Sequence, residues 1–157
     1  MKVAATGHRP QSLPCRFDEE HPWLTKLKSD LNDWLIEHKP ELVITGMALG
    51  WDTWVAEECI KLEIPIHCYI PFKDQGSKWS FTDMCRYENI IKKSDKVFTL
   101  SQEYYPECFL KRDRAMVDSA DFIIALLDPE IKHGGTRYTY SYANKQKKPT
   151  KNFWRPK

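Results

Sequence analysis

The chain has 157 residues, 41% hydrophobic and 13% aromatic, which is the size of one domain with a substantial core. Its 24 Lys and Arg nearly balance 22 Asp and Glu, and a net charge of +2 argues against the strongly basic surface of a dedicated nucleic-acid binder. No apolar run approaches the roughly 20 residues that span a bilayer, and the polar opening Met1–Gly7 does not read as a signal peptide, so no membrane partner and a cytoplasmic location are expected.

Short apolar strands alternate with helical patterns along the whole chain. The first strand is predicted over Lys2–Ala5, followed by a helix with Leu24, Leu27, Leu31, Trp34 and Leu35 at three-and-four spacing and Pro22 in its first turn. A strand over Glu41–Ile44 precedes a helix over Asp52–Leu62, and Ile64–Ile70 reads as the third strand with Pro65 at its start. After a polar loop, a helix over Asp83–Lys93 leads into a strand over Lys96–Leu100. Next come a helix within Pro106–Ser119, the very apolar strand Asp121–Leu127, a helix over Thr136–Lys147 and an edge strand within Pro149–Trp154. This alternation predicts a Rossmann-like, doubly wound α/β fold in one domain: a mostly parallel sheet with helices on both faces. The Asp121 strand is apolar throughout, as expected when both of its faces are covered.

The five cysteines form no CxxC pair, so neither a zinc site nor a disulfide framework is expected; Cys59 and Cys68 read as core residues. Six tryptophans are many for this length, and some are expected to line a pocket or an interface.

In an open α/β sheet, ligands bind beyond the carboxyl ends of the strands. The first strand delivers Gly7, His8 and Arg9 there. Arg9 suits bidentate contact with a phosphate, while His8 is either a hydrogen-bonded loop residue or a general acid. The second strand delivers Thr45, Gly46, Gly50 and Asp52. These glycines either bring the backbone close to a ligand or only shape a tight turn. Asp52 is either a helix N-cap or a contact for a ribose hydroxyl. The helix starting near Asp52 has free amides and a dipole that attract an anion, and Gly134, Gly135 and Thr136 either repeat that device at the last helix or form only a flexible loop capped by Thr136. Arg137, the next residue, faces either ligand or solvent. On the helix before, Arg112 is placed to face the rim, and Arg114 and Asp118 are four apart, as in an exposed ion pair. Glu88 is a further candidate for a ribose contact.

Taken in order, Gly7-His8-Arg9-Pro10, Thr45-Gly46-Met47-Ala48-Leu49-Gly50-Trp51-Asp52, Pro71-Phe72, Tyr87-Glu88, Arg112-Asp113-Arg114 and Gly134-Gly135-Thr136 resemble the YpsA-like branch of the SLOG superfamily over almost the whole chain. That superfamily includes cytokinin-activating phosphoribohydrolases, DNA-processing proteins resembling DprA, and sensors of NAD-derived signals. The resemblance implies a homo-oligomer that binds a nucleotide-derived small molecule, such as an ADP-ribose-like or cyclic nucleotide signal, with no resident cofactor. By that likeness, Gly46, Gly50, Gly134, Gly135 and Thr136 cradle phosphates, and Arg9, Asp52, Glu88, Arg112 and Asp118 shape the rest of the pocket. Sensing or sequestration is the expected role, the latter suiting a phage protein that opposes host defence. The phosphoribohydrolases carry a glutamate soon after their glycine motif. Here Arg137-Tyr138-Thr139-Tyr140-Ser141 follows, so hydrolysis is the alternative reading. A further alternative is single-strand binding by the C-terminal segment, where Lys145, Lys147, Lys148 and Lys151 precede Phe153, Trp154 and Arg155.

Overall fold

The computed structural model describes residues 1–156. Six strands, β1 (Lys2–Gly7), β2 (Leu42–Thr45), β3 (Ile66–Ile70), β4 (Lys96–Thr99), β5 (Phe122–Leu126) and β6 (Thr150–Asn152), form one sheet in the order β4-β3-β2-β1-β5-β6. Every pairing is parallel, where the sequence reading allowed a mixed sheet. The chain winds outward from β1 through β2 and β3 to β4, then returns to place β5 on the other side of β1. The switch point of the sheet therefore lies between β1 and β5.

Helices α1 (Pro22–His38), α2 (Trp51–Lys61), α3 (Phe81–Lys93), α4 (Cys108–Asp118) and α5 (Gly135–Lys145) supply both covering layers. Pro22 fits the first turn of α1 because its missing N–H is not needed there, and the His21 ring accepts the Trp23 amide at 3.0 Å. Lys39 ends the helix in the left-handed conformation, at φ 44°. The buried stripe Leu24, Leu27, Leu31, Trp34 and Leu35 packs with α2 and with Val3, Ala5, Val43, Ile124 and Leu126 of the sheet. On the opposite face Ala4, Ile44 and Ile123 meet Met116 and Val117 of α4 and Ala143 of α5. Alternate residues of one strand thus serve two cores, which is why β1 and β5 are apolar throughout.

Several element boundaries shift for local reasons. Strand β3 begins at Ile66, because Pro65 has no amide to give and only its carbonyl joins the ladder, accepting from Val43 at 3.0 Å. Helix α3 starts at Phe81, since the Ser80 hydroxyl caps it by accepting the Asp83 amide at 3.1 Å. Helix α2 starts at Trp51 with Gly50, not Asp52, at the cap. A short 3₁₀ turn over Pro10–Ser12 was not predicted.

The tryptophans are mostly core residues, although Trp34 and Trp154 also line a surface pocket beside β6 and Trp54 lines another beside Gly50. Trp23, Trp34, Trp51 and Trp54 are buried beneath α1 and α2, and none lines the main cleft described below. Cys59 and Cys68 are buried in the same core, as predicted. The C-terminal segment also folds back on the body. Phe153 is buried, Trp154 meets Trp23 edge-on at 5.6 Å, and the Arg155 guanidinium bonds Asp30 at 2.6 Å. The Phe153 ring is thus spent on packing, while Trp154 stays partly exposed. Among the described residues no helix is long and apolar enough to cross a membrane.

Packing is close under the carboxyl end of β1. Trp51 is fully buried, donates its indole N–H to the Ile124 carbonyl at 3.3 Å, and leaves no room for a side chain at Gly7, where a Cβ would lie 2.5 Å from the indole. Gly7→Ala is expected to lower unfolding free energy by about 1–3 kcal/mol through overpacking, read as a shifted urea midpoint. An unchanged midpoint would show that Trp51 can move aside.

Candidate functional site

A cleft of about 480 Å³ opens over the carboxyl ends of β1 and β5, at the switch point. Its size lies within the range of about 300–1,000 Å³ usual for small-ligand pockets. Of the predicted site residues it gathers Gly7, His8, Arg9, Asp52, Arg112, Gly134, Gly135 and Thr136 in its walls.

The first wall follows β1. The His8 amide bonds the Leu126 carbonyl at 3.2 Å, and its ring Nε2 accepts the Asp128 amide at 3.0 Å. An imidazole accepting there is neutral with its proton on Nδ1. Burial pushes its pKa below the usual histidine value, with the Arg137 charge adding to that and the Asp128 carboxylate opposing it. This supports the hydrogen-bonded role for His8 and not that of a poised acid. Arg9 is exposed beside it, and its side chain makes no hydrogen bond with a described residue.

The second wall is the start of α2. The Thr45 hydroxyl donates to the Asp52 carbonyl at 3.0 Å and accepts the Met47 amide at 3.2 Å, closing the loop on itself. Gly46 accepts from Arg112 through its carbonyl at 2.7 Å, and a Cβ there would come within 2.5 Å of the same guanidinium. Gly50, at φ +89°, faces the His8 carbonyl, which also takes the Trp51 amide at 3.4 Å. Thr45, Gly46 and Gly50 therefore hold the wall from behind and do not line the cleft, where Gly46 and Gly50 were expected to cradle phosphates and Thr45 to touch the ligand. Asp52 does line it. Its Oδ2 accepts the Ala48 amide at 3.3 Å, whereas its Oδ1 is buried without a hydrogen-bond partner. Burial raises this carboxyl to a pKa of about 7, and the Asp113 charge adds to the shift against the opposing Arg112 and Arg9 charges and the Ala48 amide.

The third wall is α4. Arg112 is buried, with Nε on Asp113 at 2.7 Å and Nη1 on the carbonyls of Gly46 and Tyr69 at 2.7 and 3.3 Å. Asp113 is completed by the Thr139 hydroxyl at 3.0 Å. Arg114 and Asp118 are exposed on other sides of the helix; they do not pair, and Asp118 accepts from the Tyr142 hydroxyl at 2.8 Å instead. Neither lines the cleft, and Glu88 is exposed on α3 away from it. These three are corrections to the expected pocket.

The fourth wall is the start of α5. Gly134 is the N-cap at φ +94°, no side chain caps the helix, and the first turn holds no acidic residue. Open space surrounds the Cβ positions of Gly134 and Gly135. The loop before it is held by Arg137, which donates to the carbonyls of Ile131 at 3.0 Å and Pro129 at 3.2 Å, so that side chain braces the loop and is only partly open to solvent. Free amides and the positive end of a helix dipole thus meet the cleft unopposed.

The sequence reading passed over Phe109 and Asp113, which also line the cleft. Both sit beside Arg112 in a helix whose charged run reads as a solvated face, and only the burial of Arg112 marks the region as a wall.

A doubly wound sheet with its main cleft at the switch point defines a Rossmann-like ligand-binding architecture. The YpsA family model, described as the YspA SLOG family, matches residues 3–154, and the chain belongs to that family. A UPF0398 protein of Bacillus pumilus is 30% identical over 144 residues, covering 85% of this chain and 76% of the relative; one from Bacillus cereus is 29% identical, covering 93% and 84%. Among solved structures, DNA processing protein A from Streptococcus pneumoniae superposes with a TM-score of 0.67 at 15% identity, over 95% of this chain and 48% of that one. A molybdenum cofactor binding protein from Rippkaea orientalis does so at 0.59 and 16% identity, over 95% and 73%. These structural likenesses establish the shared fold.

Asp52 makes stability depend on pH in a defined direction. Its carboxyl ionises near 3.8 when unfolded and about 7 when folded, so the folded state holds the extra proton in between. The contribution of Asp52 to stability therefore falls as pH rises from about 4 to about 7. Asp52→Asn is expected to gain on the ligand-free wild type between about pH 5 and pH 8, on the order of 1–4 kcal/mol. Parallel urea-derived stability curves for the two proteins would contradict this.

Proposed function

We propose that the cleft binds a nucleotide-derived small molecule by its anionic group, and that the protein acts as a sensor or sequestering protein for it. The observation that carries this reading is the uncapped start of α5, with its two open glycines facing the cleft. A phosphate there accepts first-turn amides and is favoured by the dipole. Arg9 is an exposed cation at the rim, and Asp52 Oδ1, buried and unpartnered, is the acceptor for a ligand hydroxyl. Membership of the YpsA family, and a fold shared with a single-stranded-DNA-binding DNA processing protein A from Helicobacter pylori and with a molybdenum cofactor binding protein, support this class of ligand.

The test uses Gly135→Asp. A Cβ at Gly135 meets no atom within 4 Å, and an acidic residue suits the first turn of a helix, so folding is expected to be kept. The new charge opposes an anion at that point. Thermal shift across mononucleotides, dinucleotides and ADP-ribose is expected to find a stabilising ligand for the wild type, with at least tenfold weaker binding for the variant. Stabilisation by no member of the panel, or equal binding by the variant, counts against the reading.

The state of Asp52 favours a second reading. A buried carboxyl with a pKa of about 7 matches a general acid at neutral pH, and Asp113 is a second carboxylate in the same cleft. Such a pair suits cleavage of an N-glycosidic bond, despite the missing glutamate after Thr136. Incubation with nucleoside monophosphates is the check. Release of free base by the wild type and not by Asp52→Asn supports the enzyme, and intact substrate supports binding alone.

A further inference from the structure

Phe109 is the one phenyl ring lining the cleft among the described residues, and it belongs to neither hydrophobic core. It is half-buried, and two further rings outside the cores hold it: Phe72 meets it edge-on at 5.9 Å and 89°, and Tyr104 lies at 6.4 Å. Phe72 and Tyr104 in turn meet at 5.6 Å. An aromatic group of this size beside a polar cleft contributes nothing to the cores under the sheet. What it does provide is an aromatic ring in the cleft wall, packed against two others.

Two guanidinium groups flank that ring, and they differ in freedom. The Arg112 carbon lies 5.7 Å from the ring centroid and is fixed by its bonds to Asp113, Gly46 and Tyr69. The Arg9 carbon lies 5.5 Å away, but Arg9 is exposed and unbonded, so it can swing off the ring at little cost. A planar heteroaromatic group stacks on a phenyl ring with centroids about 4.5–7 Å apart, and guanidinium planes stack on such groups as well.

Resting on the reading that the start of α5 holds the anion, we propose that Phe109 is the stacking platform for the ligand's nucleobase, with Arg9 closing over it. The ligand class is therefore a nucleotide that keeps its base, a purine above all, and a bare sugar phosphate is discriminated against. Phe109 acts here as a specificity-determining residue, and the aromatic pair behind it as its positioning support.

The experiment compares AMP with ribose 5-phosphate, which lacks only the base, by titration calorimetry on the full chain. The wild type is expected to bind AMP about tenfold or more tightly, the scale of one stacked base. Phe109→Leu, which keeps apolar volume without the ring, is expected to bring the two affinities together by weakening AMP alone, and Phe109→Trp to keep the preference. Melting curves confirm that each variant is folded. Equal binding of the two probes by the wild type overturns the proposal while leaving the anion site intact, as does equal weakening of both by Phe109→Leu. Binding of neither probe overturns the anion site and the platform together.

Discussion

A buried cation organises this molecule. Arg112 reaches from α4 under the cleft to the carbonyls of Gly46 and Tyr69, at the ends of β2 and β3, while Asp113 holds its Nε. A guanidinium without such partners would be costly to bury, so its environment has to be complete. Asp113 supplies the charge, Thr139 supports Asp113 from α5, and Gly46 leaves the space. One side chain thereby joins the ends of two strands to two helices. The cleft walls stay in register because of it.

The same arrangement concentrates unlike demands in a small volume. Asp52 is close enough to feel the positive field of Arg112 but also the negative field of Asp113, and burial outweighs the attraction. The result is a carboxyl that neither ionises readily nor finds a full set of partners. Such a group is poorly explained as packing, and a ligand donor would complete it. The start of α5 is incomplete in the opposite sense, with donors but no acceptor. Wanting an acceptor on one wall and a donor on the other, the cleft suits a molecule carrying both an anion and a hydroxyl.

The architecture was legible because apolar strands with two covered faces leave an unambiguous mark; β5 and the stripe of α1 carry most of it. The site was legible in part. Gly134 and Gly46 look alike on paper, yet one borders empty space and the other a guanidinium, a distinction set by what the fold brings alongside. Arg112 and Arg114 stand two residues apart, which on a helix is more than half a turn, enough to send one inward and one to solvent. Glu88 resembled a ribose contact only by its motif. Asp52 was identified as a candidate, but its missing partner depends on three-dimensional surroundings that no spacing encodes.

The contact between Gly7 and Trp51 reaches beyond stability. These positions come from separate segments, one ending the first strand and one opening the second helix, and neither can change size without the other. A larger residue at 7 requires a smaller one at 51, while a smaller residue at 51 alone leaves a void under the cleft floor. A change at either site alone is penalised, so the two are expected to drift together. Chains of this fold should therefore divide into those keeping glycine with tryptophan and those that have exchanged both.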